Sequence, residues 1–158
     1  VSEHTMLVDL ARNDIAKISE PGTRTLDENY TIEKYSHVQH LVSNVNGILR
    51  KELDCLHAYL ATMNMGTLTG APKVRAMQLL RKYEKTKRGY YGGAVAYITP
   101  SKEMDSCIVI RSMVLKNGKA YIRAGAGIVH DSVPEKEYAE TEKKVAACLK
   151  AIHMGEKK

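Results

Sequence analysis

No run of about 18 apolar residues occurs in this 158-residue chain, so nothing in it reads as a membrane span. Its opening, VSEHTMLVDL, lacks the basic stretch and small-residue cleavage site of a secretory signal. Cysteine is scarce: Cys55, Cys107 and Cys148 are odd in number and far apart, with no CxxC or Cys/His spacing. That pattern argues against a disulfide framework or a zinc site and reads as reduced, partly buried thiols of a cytoplasmic protein. Aromatic residues make up only 6%, and no RNP-type aromatic motif is present. This weakens the nucleic-acid reading that a net charge of +6 and a pI near 9.2 invite. The one dense basic cluster, RKYEKTKR (81–88), is expected to close a helix, where the dipole favours cations. A stand-alone basic module using Arg81, Lys82, Lys85, Lys87 and Arg88 on phosphates is the rival reading from another class. GTLTGAPK (66–73) lacks the spacing and Gly-Lys-Ser/Thr ending of a Walker A loop, so it is weak support for nucleotide binding.

An apolar content of 44% is enough to bury a core, and a single domain over 1–158 is the default. Met6, Leu7, Leu10 and Ile15 recur at helical spacing and predict a helix over 3–17, stopped before Pro21 and Gly22. β-Branched residues in 30–36 and 38–50 fit strands, with Gly47 a candidate bulge. Residues 53–63 read as a helix and MGTLTGAP as a loop. Pro72 then opens a helix to about Arg88, with Val74, Met77 and Leu80 turned inward. Three strands follow, at 92–99, 106–115 and 119–124, the last two joined by a tight hairpin at Lys116-Asn117-Gly118. Ser132 and Glu135 have capping-box spacing, and the helix behind them is expected to bury Tyr138, Val145, Leu149 and Ile152. Hairpins flanked by helices predict an α+β class: a mainly antiparallel sheet with helices packed on it.

Within AGAGIVHDSVPEKEYAETEKK (124–144), a glycine-rich turn suited to anions precedes a helix carrying Glu135, Glu137, Glu140 and Glu142. Glu137 and Glu140, three apart, share a side that Lys144 continues, away from the apolar stripe. A solvated acidic first turn is the plain explanation, since the helix dipole favours it. A hard cation such as Mg2+ is the functional one: between the carboxylates and a substrate anion it turns repulsion into attraction. Arg111, inside the apolar run CIVIRSMVL, is either a rim residue or a fork for a carboxylate. His40, in another apolar strand, is either a satisfied core histidine or a functional one.

EHTMLVDLARND, YSHVQHLVS, GTLTGAPKVRAM, GYYGGAVAY, CIVIRS and AGAGIVHDSVPEKEYAET occur together in this order. The set resembles the C-terminal part of the chorismate-utilising enzymes, and among them the large subunit (component I) of anthranilate synthase. The resemblance implies that Glu3 and Glu140 bind Mg2+, supported by Glu137, and that the metal holds the ring carboxylate of chorismate beside the backbone of Ala126 and Gly127. It implies that Tyr91 and Arg111 hold the enolpyruvyl carboxylate and that Lys144 lines the acidic site. His40 would be catalytic beside the ring, and Thr67 would touch the ring near its hydroxyl. The implied reaction is conversion of chorismate to anthranilate, the first step of tryptophan biosynthesis, with ammonia from a glutamine amidotransferase subunit. Aminodeoxychorismate synthase, of folate biosynthesis, is the near alternative because it has a similar GSITGAPK-like motif. Family members are several hundred residues long. The glutamate expected three residues before Glu3 and the acid expected to protonate the leaving hydroxyl have no counterpart here. The 158 residues alone are therefore expected to make no anthranilate and to self-associate through an uncovered apolar face.

Overall fold

The computed structural model describes residues 2–34 and 39–156. The elements run α1 (Ser2–Ala16), β1 (Thr25–Lys34), β2 (Gln39–Asn46), α2 (Cys55–Thr62), α3 (Gly66–Thr69), α4 (Lys73–Tyr83), β3 (Ala94–Ile98), β4 (Met104–Ile108), β5 (Met113–Lys116), β6 (Lys119–Ile122) and α5 (Pro134–Glu156). The strands form three two-stranded sheets, β1–β2, β3–β4 and β5–β6. The mixed helix and antiparallel-sheet class matches the expectation. The chain divides into two compact units, Val1–Tyr83 with Tyr97–Asp105, and Glu84–Ala96 with Ser106–Lys158.

In the first unit α1 packs on β2, α2 and α3. Met6, Leu7, Leu10 and Ile15 are half-buried as expected, but Val8 and Asp14 are the buried residues of the helix. The bulges fall in β1, where the register shifts between Leu26 and Thr31 and Tyr30 takes φ +58°. Gly47, expected to make the bulge, lies just past β2. It lets the chain run close to Ser19, whose Oγ a Cβ at Gly47 would meet at 2.3 Å. The positions expected as strand at 35, 36 and 38 lie outside the described residues. Asp54 caps α2, accepting from the amides of Leu56 (3.1 Å) and His57 (3.2 Å). His57 bonds the same carboxylate and holds it below the usual aspartate range.

The expected loop 65–72 contains a helical turn, α3. Thr69 donates both its amide and its hydroxyl to the Met65 carbonyl, and Gly70 ends the turn at φ +97°. Helix α4 ends at Tyr83, five residues before Arg88. Its inward stripe is Lys73, Ala76, Met77 and Leu80, all half-buried, while Val74 is exposed.

In the second unit the carbonyls of Thr86 and Lys87 accept from the Arg123 guanidinium (3.4 and 2.6 Å) instead of from a continuing helix. The expected strand 106–115 is two strands, because Arg111 sits between them at φ +51°. Hydrogen bonds from Tyr90 Oη to the Ser112 carbonyl and from Cys148 Sγ to the Arg111 carbonyl hold that break. The hairpin β5–β6 turns at Asn117 and Gly118, φ +52° and +69°, the two left-handed residues a tight two-residue turn requires. Ser132 does not cap α5: its hydroxyl accepts from the Val129 amide, and the first helical amides bond to the Val133 carbonyl. Helix α5 is held by loop segments, so its burial follows Glu137, Thr141, Lys144, Val145, Cys148 and Ile152. Tyr138, expected inside, is 67% exposed and Leu149 is exposed too; the buried residue is Cys148. Lys144 and Glu137, expected on a side away from the apolar stripe, therefore lie along the inward one. Among the described residues no helix is long and apolar enough to cross a membrane, and all three cysteines are free thiols.

Candidate functional site

Three of the ten residues singled out in the sequence, Glu3, His40 and Thr67, belong to the first unit. Glu3 is exposed in the first turn of α1. Its neighbour His4 fixes that turn to the β1–β2 sheet: His4 Nε2 lies 2.8 Å from Ser43 Oγ, which also accepts from the Tyr30 amide at 3.1 Å. His40 is half-buried on β2, opposite Glu33 in the antiparallel register. Thr67 is exposed on α3. That turn lies against α1 because Gly66 has no side chain; a Cβ there would stand 2.2 Å from Leu10 Cδ2. Lys73, the lysine of GTLTGAPK, faces inward. Its Nζ donates to Asp14 Oδ2 (2.5 Å) and to the carbonyls of Thr62 (3.0 Å) and Met63 (3.4 Å). An ammonium committed to a buried carboxylate and a helix C-terminus has no bond left for a phosphate.

The other seven, Tyr91, Arg111, Ala126, Gly127, Glu137, Glu140 and Lys144, belong to the second unit. Lys144 Nζ donates to the Gly125 carbonyl at 2.9 Å and pairs with Glu140 Oε1 at 2.6 Å. Tyr91 is buried, and a Cβ added to Gly125 would stand 3.4 Å from its hydroxyl. The tyrosine, the turn Gly125–Gly127, the lysine and Glu140 thus gather at one place. Arg111 is half-buried, and its carbonyl is bonded to Cys148, one helical turn beyond Lys144. The glycine turn and the acidic helix do not need a metal to coexist: the cation between them is the protein's own ammonium.

Glu137 and Glu140 are carboxylates three apart on α5, the oxygen type magnesium takes one or two at a time, with water and substrate oxygens filling the shell. The donor chemistry fits. Among the described residues no group of three His, Cys, Asp or Glu side chains is placed to hold a metal ion.

Sequence reasoning missed one cluster. Glu84 takes the Arg88 guanidinium on both oxygens (Nε 3.1 and 3.0 Å, Nη2 2.6 Å) and Arg123 Nη2 at 3.2 Å. The Arg88 pairing holds the Glu84 carboxyl below the usual glutamate range. The i,i+4 spacing of Glu84 and Arg88 was a usable signal; nothing local pointed to Arg123.

The fold agrees with what comparison finds. Residues 1–150 match the family described as chorismate binding enzyme, and the chain belongs to that family. Among its relatives, anthranilate synthase component 1 of Vibrio cholerae is 58% identical over 96% of this chain and 29% of its own length. That of Escherichia coli shows the same identity and shares. The chain thus spans less than a third of these relatives. The crystal structure of anthranilate synthase component I from Streptococcus pneumoniae superposes with a TM-score of 0.85 at 47% identity, over 91% of this chain and 33% of that one. A putative 2,3-dihydroxybenzoate-specific isochorismate synthase from Bacillus anthracis, 24% identical over 96% of this chain and 40% of its own, shares the fold with a TM-score of 0.87.

Proposed function

We propose that this chain supplies part of the chorismate site of an anthranilate synthase in tryptophan biosynthesis, acting in the cytoplasm with a glutamine amidotransferase subunit as ammonia source. The observation that carries this reading is the meeting of Tyr91, Lys144 and Glu140 at the Gly125–Gly127 turn. The substrate has two carboxylates, and the second unit has groups for both. Arg111 offers a planar fork, and Tyr91 a phenol, for the enolpyruvyl carboxylate. Backbone at Ala126 and Gly127 serves the ring carboxylate. Glu137 and Glu140 would hold magnesium, which neutralises that carboxylate when bound. Lys144 anchors Glu140 to the turn. The roles of Glu3 as a further metal ligand, His40 beside the ring and Thr67 near its hydroxyl rest on the sequence resemblance. The work of these groups is positioning and charge compensation while ammonia adds, water leaves and pyruvate is eliminated.

The test is a hybrid in which this chain replaces the matching segment of the Escherichia coli relative, assayed by anthranilate fluorescence with chorismate, ammonia and Mg2+. Turnover is expected, with loss of about 10²-fold or more for Glu140→Gln at limiting magnesium. A folded hybrid that binds no chorismate, or a Glu140→Gln variant with parental turnover, overturns the reading.

A further inference from the structure

We propose that Arg88, clamped by Glu84, which Arg123 braces in turn, is a positioning residue that fixes the Tyr91 phenol against the Gly125 turn; the inference rests on the reading of Tyr91 as a substrate-carboxylate ligand. Tyr91 is held twice by the same residue. Its amide donates to the Arg88 carbonyl at 3.2 Å, and its ring carries the Arg88 guanidinium over its face, 5.9 Å from the centroid. A guanidinium on a long stem is a poor brace unless its far end is fixed. Here Glu84 grips it in a fork, which sets its plane as well as its place. Glu84 is itself braced by Arg123, which also takes the carbonyls of Thr86 and Lys87 on the same loop. The cluster is half-buried, with the Arg88, Glu84 and Arg123 side chains 24, 30 and 26% exposed, so solvent does not dissolve the pairing as it does on an open surface.

The consequence falls on the phenol. With ring and backbone fixed at one end, the hydroxyl at the other stays beside Gly125. A lysine at position 88 keeps the charge but has no planar fork to bridge Glu84 and the ring.

The experiment uses two readouts. The chain is labelled with 3-fluorotyrosine and the Tyr91 resonance assigned by its absence in Tyr91→Phe; KM and kcat for chorismate are measured in the hybrid. Arg88→Lys and Glu84→Gln are each expected to move or broaden the Tyr91 fluorine signal. Each should also raise KM about tenfold with kcat kept within about twofold, the signature of a displaced substrate ligand. Glu84→Gln keeps the shape of the clamp, so it serves where Arg88→Lys folds poorly. If Tyr91→Phe raises KM while neither clamp variant moves the fluorine signal or KM, the positioning role is overturned and the function stands. If activity falls only with the folded fraction at constant KM, the clamp is structural and the proposal is overturned. If Tyr91→Phe leaves KM unchanged, the role given to Tyr91 fails, and this inference with it. The fluorine readout decides the positional claim whether or not the hybrid turns over.

Discussion

GTLTGAPK in the first unit and the turn–helix stretch 125–144 in the second are built alike. Each has a glycine-rich turn, a proline at the mouth of a helix, and a lysine that reaches back to a carbonyl and a carboxylate. The difference is burial. Lys73 and Asp14 have side chains only 13 and 7% exposed, whereas those of Lys144 and Glu140 are 29 and 51% exposed. The same arrangement is a structural tie where it is closed and a candidate binding element where it is open.

Breaking the closed tie should cost most. Asp14→Ala leaves the Lys73 ammonium buried with carbonyls alone and is expected to lower stability by about 3 kcal/mol in urea titration. Gly66→Ala is next, about 2 kcal/mol, because the new methyl must push Leu10 aside. The open tie should behave in the opposite way. Lys144→Met is expected to change stability by less than about 1 kcal/mol, yet to raise KM for chorismate in the hybrid, since Glu140 loses its link to the Gly125 carbonyl. A Lys144→Met variant that unfolds like Asp14→Ala would abolish the distinction. Gly125→Ala sharpens it further. Its methyl would meet only ordinary contact, so stability should hold within about 0.5 kcal/mol while ligand affinity reports the change.

The smallest effect concerns pH. The folded-state pKa of Glu84 lies below its unfolded value, so its contribution is present in full above about pH 4.3 and is lost as pH falls through the lower folded value. Stability of the parent should therefore fall on acidification with a component that Glu84→Gln lacks. Parallel profiles for the two proteins would contradict the clamp.

How much of this was readable in the residues differs by kind of signal. Local spacing placed α1, α2, the Asn117–Gly118 hairpin and the antiparallel class, because helix period and turn chemistry are written in neighbouring residues. It failed where distant groups decide. Alternation through CIVIRSMVL read as one strand, since nothing in it announces that Tyr90 and Cys148 will hold the carbonyls at 111 and 112 in a break. The apolar stripe of α5 was chosen by side-chain type, and it turned out rotated toward Lys144 and Cys148 because the helix rests on loops. Arg111 stands out in the sequence as a charge inside an apolar run, while its place in a strand break at φ +51° has no signal there. Lys144 was placed beside the acidic pair, while its bond to the Gly125 carbonyl had no local signal.

The bond between Cys148 and the Arg111 carbonyl also makes the chain its own clock. Cys148 is 7% exposed, Cys55 is half-buried and Cys107 is exposed. A thiol reagent must wait for α5 to lift from the strand break before it can reach Cys148, because a buried sulfur is out of its reach until the helix opens locally. Cys107 reports the intrinsic rate of the reagent in the same tube. The ratio of the two rates counts how often the Arg111 turn is released, without a label, a ligand or an assay of turnover.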